Sequence, residues 1–254
     1  MFGKNIPLPQ DLKRQETLGY DIHSIFRTIQ GEGPFAGTPA VFIRMAHCNL
    51  KCYFCDTDFA QPDATLTDSD AWKNMIHRLK KSNDIIVITG GEPMRQNLIP
   101  MIAWLRETYG SGQIVQIETA GTLWIEGIED LWPCFVVSPK TKNVVDKLES
   151  YYTRIHDQME GNGLGWMAPY LLSYKYIVGE DTQLDVDGLP MSSTQVQGKI
   201  HQLAKPPQSC EVYIQPRDDG NEDRNHMNLK RCVEVCMQYG YRLSIQMHKL
   251  ANLP

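Results

Sequence analysis

Val41-Phe42-Ile43-Arg44-Met45-Ala46-His47-Cys48-Asn49-Leu50-Lys51-Cys52-Tyr53-Phe54-Cys55-Asp56-Thr57 joins an apolar run to three thiols packed within eight residues. Residues 41–45 read as a buried strand, and the cysteines fall on the loop that leaves it. Three thiolates on one loop can wrap a single inorganic centre. A four-iron cluster normally takes four, so three leave one iron open to another ligand. Zinc accepts three thiolates and a histidine, which would bring in His47. Structural zinc sites, however, draw ligands from two separate loops, and adjacent His47 and Cys48 reach one tetrahedral ion with difficulty. The spacing favours the cluster.

Outward from this loop the chain alternates strand-like and helix-like stretches. Strand-like runs fall at 20–29, 85–89, 114–118, 135–138, 174–178, 212–215 and 242–246. Helical spacing recurs at 66–80, with Thr67 as N-cap, and at 98–109, 143–152, 193–203 and 225–239. This alternation predicts an α/β fold: a largely parallel sheet with helices outside it, as in a partial, modified TIM-like barrel. Residues 1–19 read as a polar lead-in. The glycine-bearing stretch 161–166 breaks the rhythm, so 146–172 reads as an insertion within one domain spanning 1–254.

The chain has 254 residues, 42% apolar and 22% charged, which suits a globular protein able to bury a large core. Its net charge is −5 and no Lys/Arg run is longer than Lys80-Lys81, so no nucleic-acid-binding face is expected. No apolar run approaches the roughly 20 residues of a membrane span, and the opening residues 1–7 do not read as a secretory leader. Seven cysteines, three of them bunched, fit a reducing cytoplasm better than a disulfide framework. Cys232 and Cys236 share the spacing of one helix face with Leu229, Val233 and Met237, which reads as core.

Polar and glycine-bearing motifs follow the predicted strands: the cysteine loop, Gly90-Gly91-Glu92-Pro93, Glu118-Thr119, Ser138-Pro139-Lys140, Gln215-Pro216-Arg217-Asp218 and Gln246-Met247-His248. In parallel α/β barrels the active site forms at the carboxyl ends of the strands, so these motifs gather around one mouth. A double glycine after a strand lets backbone approach a ligand where a Cβ would clash.

The three-cysteine spacing, with Phe54 before the last thiol and Gly90-Gly91-Glu92-Pro93 further on, resembles the radical S-adenosylmethionine (SAM) superfamily. Within it, three features are similar to the 7-carboxy-7-deazaguanine synthase family. They are Thr28-Ile29-Gln30-Gly31-Glu32-Gly33-Pro34 followed by Arg44, the Cys55-Asp56-Thr57 run, and the end of the chain from Gln246 to Pro254. The resemblance runs from about residue 22 to 254, with a gap near 146–170.

The resemblance implies a lyase of queuosine-type biosynthesis. It would contract 6-carboxy-5,6,7,8-tetrahydropterin to 7-carboxy-7-deazaguanine with loss of ammonia, using a 4Fe-4S cluster on Cys48, Cys52 and Cys55, SAM and Mg2+. It assigns SAM contacts to Phe54, Asp56, Gly91, Glu92, Ser138, Pro139, Lys140, Gln215, Pro216, Arg217 and Asp218. It assigns substrate contacts to Ile29, Gln30, Gly31, Arg44, Thr89 and the terminal carboxylate of Pro254, and magnesium to Thr57. These assignments make chemical sense. Gln30 can donate to and accept from an amide-like edge, Arg44 offers a planar fork for a carboxylate, and Thr57 is a hard oxygen donor. Loss of ammonia needs proton transfers, for which Glu32, Glu118 and His248 are candidates. The resemblance also implies a homodimer and an external, flavodoxin-like electron donor. A glycyl-radical activating enzyme shares the cysteine and Gly-Gly-Glu-Pro motifs but would not need Gln30, Arg44, Thr57 or Pro254. A zinc-stabilised binding module is the rival from another class.

Overall fold

The computed structural model describes residues 6–17, 19–55, 61–161, 168–251 and 253. In chain order the elements are α1 (Arg14–Thr17), β1 (Ile22–Ile29), β2 (Pro39–Met45), α2 (Ser69–Leu79), β3 (Ile85–Gly90), α3 (Ile99–Tyr109), β4 (Val115–Thr119), β5 (Cys134–Val137), α4 (Asp146–Gly161), α5 (Ala168–Leu171), β6 (Leu172–Val178), β7 (Glu211–Pro216), α6 (Glu222–Tyr239), β8 (Arg242–Leu243) and α7 (Met247–Leu250). The strands form one sheet in sequence order, β1 to β8. β1 pairs with β2 antiparallel, and every later neighbour is parallel. Among the described residues β8 does not pair with β1, so the barrel stays open, as the partial TIM-like expectation required.

Period-two alternation decides which residues face which side. From β2, Val41, Ile43 and Met45 enter the main apolar core under the helices, with Ile86 and Ile88 from β3 and Ile117 from β4. Tyr174, Tyr176 and Val178 of β6 and Val212 and Ile214 of β7 join the same layer. The intervening residues face the concave side. At the base they are apolar, Phe42 and Val87 packing with Ala40 and Ile85. Higher up they turn polar: Arg44, Thr89, Glu118, Lys175 and Gln215 line a cavity.

Parallel neighbours need crossovers, and α2, α3, α4 with α5, and α6 supply four of them. α2 starts at Asp68, whose carboxylate accepts from the Asp70 and Ala71 amides at 2.8 and 3.2 Å, rather than at Thr67. Asp68 sits where its acceptor reaches both first-turn amides. Trp72 and Ile76 then bury against the sheet. The β4–β5 connection carries only a 3-10 turn, Ile128–Leu131. α4 fills the β5–β6 crossover, with Leu148, Tyr151, Tyr152 and Ile155 in the core.

The β6–β7 connection departs from expectation. Residues 193–203 form no helix; bridges Ser192↔Gln202 and Val196↔Lys199 fold them into a hairpin instead. Gln197 and Gly198 both take positive φ, 49° and 77°, which makes the tight two-residue reversal of a hairpin and stops a helix. α6 begins at Glu222, earlier than expected, because the Asn221 side chain caps the Arg224 amide at 3.0 Å. β8 is cut to two residues; Gln246 takes the N-cap position of α7 instead of continuing the strand, and its side chain makes no cap bond there. Among the described residues no helix is long and apolar enough to cross a membrane.

Candidate active site

The carboxyl ends of the parallel strands open into a cavity of about 660 Å³. Cys48, Cys52 and Cys55 line one side, and the polar inner face of the sheet lines the rest.

The cysteine loop is held from three directions. Leu8 in the lead-in donates its amide to Cys48 O at 2.9 Å. Asn49 Nδ2 donates to Thr122 Oγ1 at 2.9 Å. The hairpin 192–202 pairs Cys52 with Val196, with Tyr53 N on Gln195 O at 3.0 Å and Gln197 N on Lys51 O at 2.7 Å. His47, at φ 66°, turns the chain from β2 into the loop. Burial pushes the Cys48 thiol up to about 12 and the Cys52 thiol up to about 11. A cationic centre reverses that penalty, because thiolates are the ligating form. Three thiols on one loop at a cavity wall fit a cluster, which spreads its thiolates over different irons.

Opposite the loop, Glu118 at the end of β4 gathers three donors. Gln30 Nε2 and Thr89 Oγ1 each lie 2.9 Å from it, and Gln116 Nε2 lies 3.1 Å away. Gln30 Oε1 in turn accepts from the Glu32 amide at 3.1 Å. Glu32 forms a buried ion pair with Lys175 of β6 and accepts from Gln246 Nε2 at 2.9 Å. Burial, and then the charge of Glu32, raise the Glu118 carboxyl above its usual range, while Lys175 pulls it back. Arg44 lies over the Phe26 ring, 5.1 Å from its centroid, and Phe26 stacks on Phe42. The buried hydroxyls of Thr28 and Ser173 and the amide oxygen of Gln116 have no partner among the described residues. Of the three, Thr28 lines the cavity, where a polar ligand or water would satisfy it.

Gly90 takes φ 123°, and a Cβ there would run into Met45 O, so the glycine serves the junction with β2. Gly91 lines the cavity and donates its amide to Met45 O at 3.1 Å. Glu92 is fully buried and is not among the lining residues. Its carboxylate accepts from Thr119 Oγ1 at 2.7 Å, the Ala120 amide at 2.9 Å and the Met94 amide at 3.1 Å. Lys140, which burial holds below the usual lysine range, donates to Ser138 Oγ at 2.5 Å and lies 5.6 Å from the Phe54 ring centroid. Arg217 is taken up by Asp181 and Asp219, and Asp218 by Lys249 at 2.7 Å.

The cavity therefore brings together Gln30, Glu32, Arg44, Cys48, Cys52, Phe54, Cys55, Thr89, Gly91, Glu118, Ser138, Lys140, Gln215, Pro216, Arg217 and Asp218. Pro139 lines a smaller recess beside it. Ile29 and Gly31 flank Gln30 without lining the cavity. Asp56, Thr57, Pro254 and the side chain of His248 lie outside the described residues. Sequence reading missed Lys175 and Gln116, and it placed Gln246 at the mouth without giving it a role. Lys175 had one signal: a charged residue at an inward position of an otherwise apolar strand.

No family model matches the chain. The 7-carboxy-7-deazaguanine synthase of Rhodospirillum rubrum is 34% identical over 270 aligned positions, covering all of both chains. That of Rickettsia prowazekii is 31% identical and covers all of this chain and 96% of its own. The Escherichia coli K12 enzyme of the same name is 28% identical over 92% of this chain and 99% of its own. The crystal structure of QueE from Escherichia coli superposes with a TM-score of 0.55 at 24% identity, covering 91% of this chain and 96% of that one, a likeness of fold.

Proposed function

This chain belongs to the 7-carboxy-7-deazaguanine synthase family, and we propose that its cavity contracts 6-carboxy-5,6,7,8-tetrahydropterin to 7-carboxy-7-deazaguanine with release of ammonia. The observation that carries this is the meeting of three loop thiols with a carboxylate-and-amide wall in one cavity.

Cys48, Cys52 and Cys55 would hold a 4Fe-4S cluster, with SAM between it and Gly91, Phe54, Ser138, Lys140 and Gln215. When bound, these two groups supply the radical chemistry, and the protein supplies binding, orientation and exclusion of water. Thr57 would give magnesium its oxygen ligand. Arg44 pairs with the pterin carboxylate as a planar fork. Gln30 and Thr89, already aimed at Glu118, pair with the amide-like ring edge, and the Pro254 carboxylate closes over it. Glu118 holds or accepts a proton at its Oε atoms as ammonia is lost, with Glu32 and His248 as partners. Lys175 pairs with Glu32 and fixes the position of its carboxylate. Glu92 acts on the cofactor only through the loop that it braces. The relatives' shared name over the whole chain disfavours an activating enzyme or a zinc module. The chain would act as a homodimeric, single-domain lyase taking electrons from a flavodoxin-like donor.

Incubating reduced, cluster-loaded protein with SAM, magnesium and the carboxytetrahydropterin tests this by mass spectrometry. The deazapurine is expected. Cleaved SAM with unchanged pterin contradicts the substrate.

A further inference from the structure

Arg95 ends the 3-10 turn Pro93–Arg95 that follows Gly90-Gly91-Glu92, and it is only 5% exposed. The polar lead-in holds its guanidinium. Nε donates to Leu8 O and to Pro9 O, each at 3.0 Å, and Nη2 donates to Pro9 O at 2.7 Å. The Asp11 amide returns a bond to Arg95 O at 2.8 Å. Leu8 carries the contact onward: its own amide donates to Cys48 O, and Pro7 beside it bridges to Cys48. One lead-in residue thus touches both the guanidinium and the first cysteine of the loop. Leu8 and Pro9 lie ahead of the stretch on which the family resemblance rests, and none of its motifs includes Arg95.

Buried charges are normally paired with an opposite charge. Among the described residues Arg95 makes no salt bridge, and its Nη1 is buried without a hydrogen-bond partner. The acids on this side are engaged elsewhere. Asp21 pairs with Arg14 at 2.5 Å, and the Asp11 carboxylate accepts from the Lys13 and Arg14 amides. Burial lowers the Arg95 guanidinium below its ordinary value, while negative charge at Asp21 and then at Cys48 raises it again. The Cys48 sulfur therefore lies within the field of this cation. Neutral thiols leave the charge uncompensated; thiolates around a cluster compensate it.

We propose that Arg95 is the buried counter-charge of the iron–sulfur cluster and raises the potential at which the cluster accepts an electron. The inference rests on the cluster assigned to Cys48, Cys52 and Cys55. Thiolate ligation gives such a cluster negative charge. Reduction by a one-electron donor adds one electron and one further negative charge, with no bond made or broken. A fixed cation beside it in a dry interior favours the reduced form, and the lead-in carbonyls fix that cation in place.

A redox titration of the cluster-loaded full chain, read by electron paramagnetic resonance, tests this without turnover. Arg95→Gln removes the charge but keeps an amide donor for the lead-in. Its midpoint should move negative, so that at a fixed solution potential the ratio of reduced to oxidised cluster falls about threefold or more. Arg95→Lys keeps the charge and should recover most of that ratio. Asp21→Asn removes an acid that offsets Arg95 and should move the midpoint the other way. An unchanged midpoint in Arg95→Gln overturns the proposal. So does an equal shift in Arg95→Gln and Arg95→Lys, which makes the residue a brace for the lead-in and nothing more. If neither Arg95 variant holds a cluster, Asp21→Asn decides: a positive shift supports the proposal, and an unmoved midpoint overturns it. Wild-type protein that assembles no cluster defeats the underlying site assignment instead, and the proposal with it.

Discussion

Gln30 Nε2 donates to Glu118 Oε1 at 2.9 Å, joining the loop after β1 to the end of β4 across the two strands between them. The bond spans 88 positions of sequence. It ties the residue proposed to recognise the substrate to a buried carboxylate, so the proposed recognition and proton handling would share one hydrogen-bonded unit.

Burial and the nearby Glu32 raise the Glu118 carboxyl in the folded state. The folded protein therefore binds this proton more tightly than the unfolded chain. Stability is fully present below the unfolded glutamate value of about 4.3 and declines as pH rises toward the raised folded value. Glu118→Gln removes that slope. Thermal midpoints of wild type and variant should diverge in the variant's favour as pH rises through this window. Parallel curves would show that Glu118 does not titrate there. Turnover of the variant should fall by about 100-fold if the carboxylate moves a proton.

Lys175 and Glu32 form an ion pair whose side chains are 10% and 8% exposed. Removing one partner strands the other charge, so Lys175→Met should cost about 3–5 kcal/mol. Lys175→Met/Glu32→Gln should recover much of that loss. Denaturant unfolding of the two variants measures both; an additive double variant would mean that the pair is not coupled.

Glu92 satisfies three donors in a dry interior. Glu92→Ala leaves Thr119 Oγ1 and two amides without their acceptor and should destabilise the fold by about 3 kcal/mol. The loop that presents Gly91 should loosen with it. Calorimetric SAM affinity of the loaded protein should drop, although Glu92 does not line the cavity. Unchanged affinity in a folded variant would separate the brace from cofactor binding.

Serine at Cys48, Cys52 or Cys55 should abolish the brown absorption and reduce iron and sulfide after anaerobic reconstitution. Cys232→Ser should leave both intact, because Cys232 is a buried core residue of α6. Cluster loss in Cys232→Ser without unfolding would contradict the ligand set.

The sheet was legible because β2 and β3 are apolar runs ending in polar or glycine-bearing motifs, and period two along the strands puts Arg44, Thr89, Glu118 and Gln215 on one face. Other features needed three dimensions. Lys175 reads as a surface residue until the concave side is known to be polar and closed by Glu32. The hairpin 192–202 is polar and lacks strand periodicity, and Gln197-Gly198 is a weak turn signal next to Asn-Gly. Leu8 reaches Cys48 through one backbone hydrogen bond, which leaves no mark on side-chain pattern. Thr67 and Asp68 are both good caps, and only the chain's approach from the 3-10 turn Ala64–Leu66 selects Asp68.

The central claim is that one cavity holds the cluster, the cofactor and a pterin reacting against the Gln30–Glu118 wall. An anaerobic crystal structure of the reconstituted protein with SAM, magnesium and 6-carboxy-5,6,7,8-tetrahydropterin tests it most directly. The account predicts iron density on Cys48, Cys52 and Cys55, the pterin carboxylate on Arg44, and the ring edge at Gln30, Thr89 and Glu118. A pterin bound elsewhere, or a single metal ion on the three thiols, would contradict it.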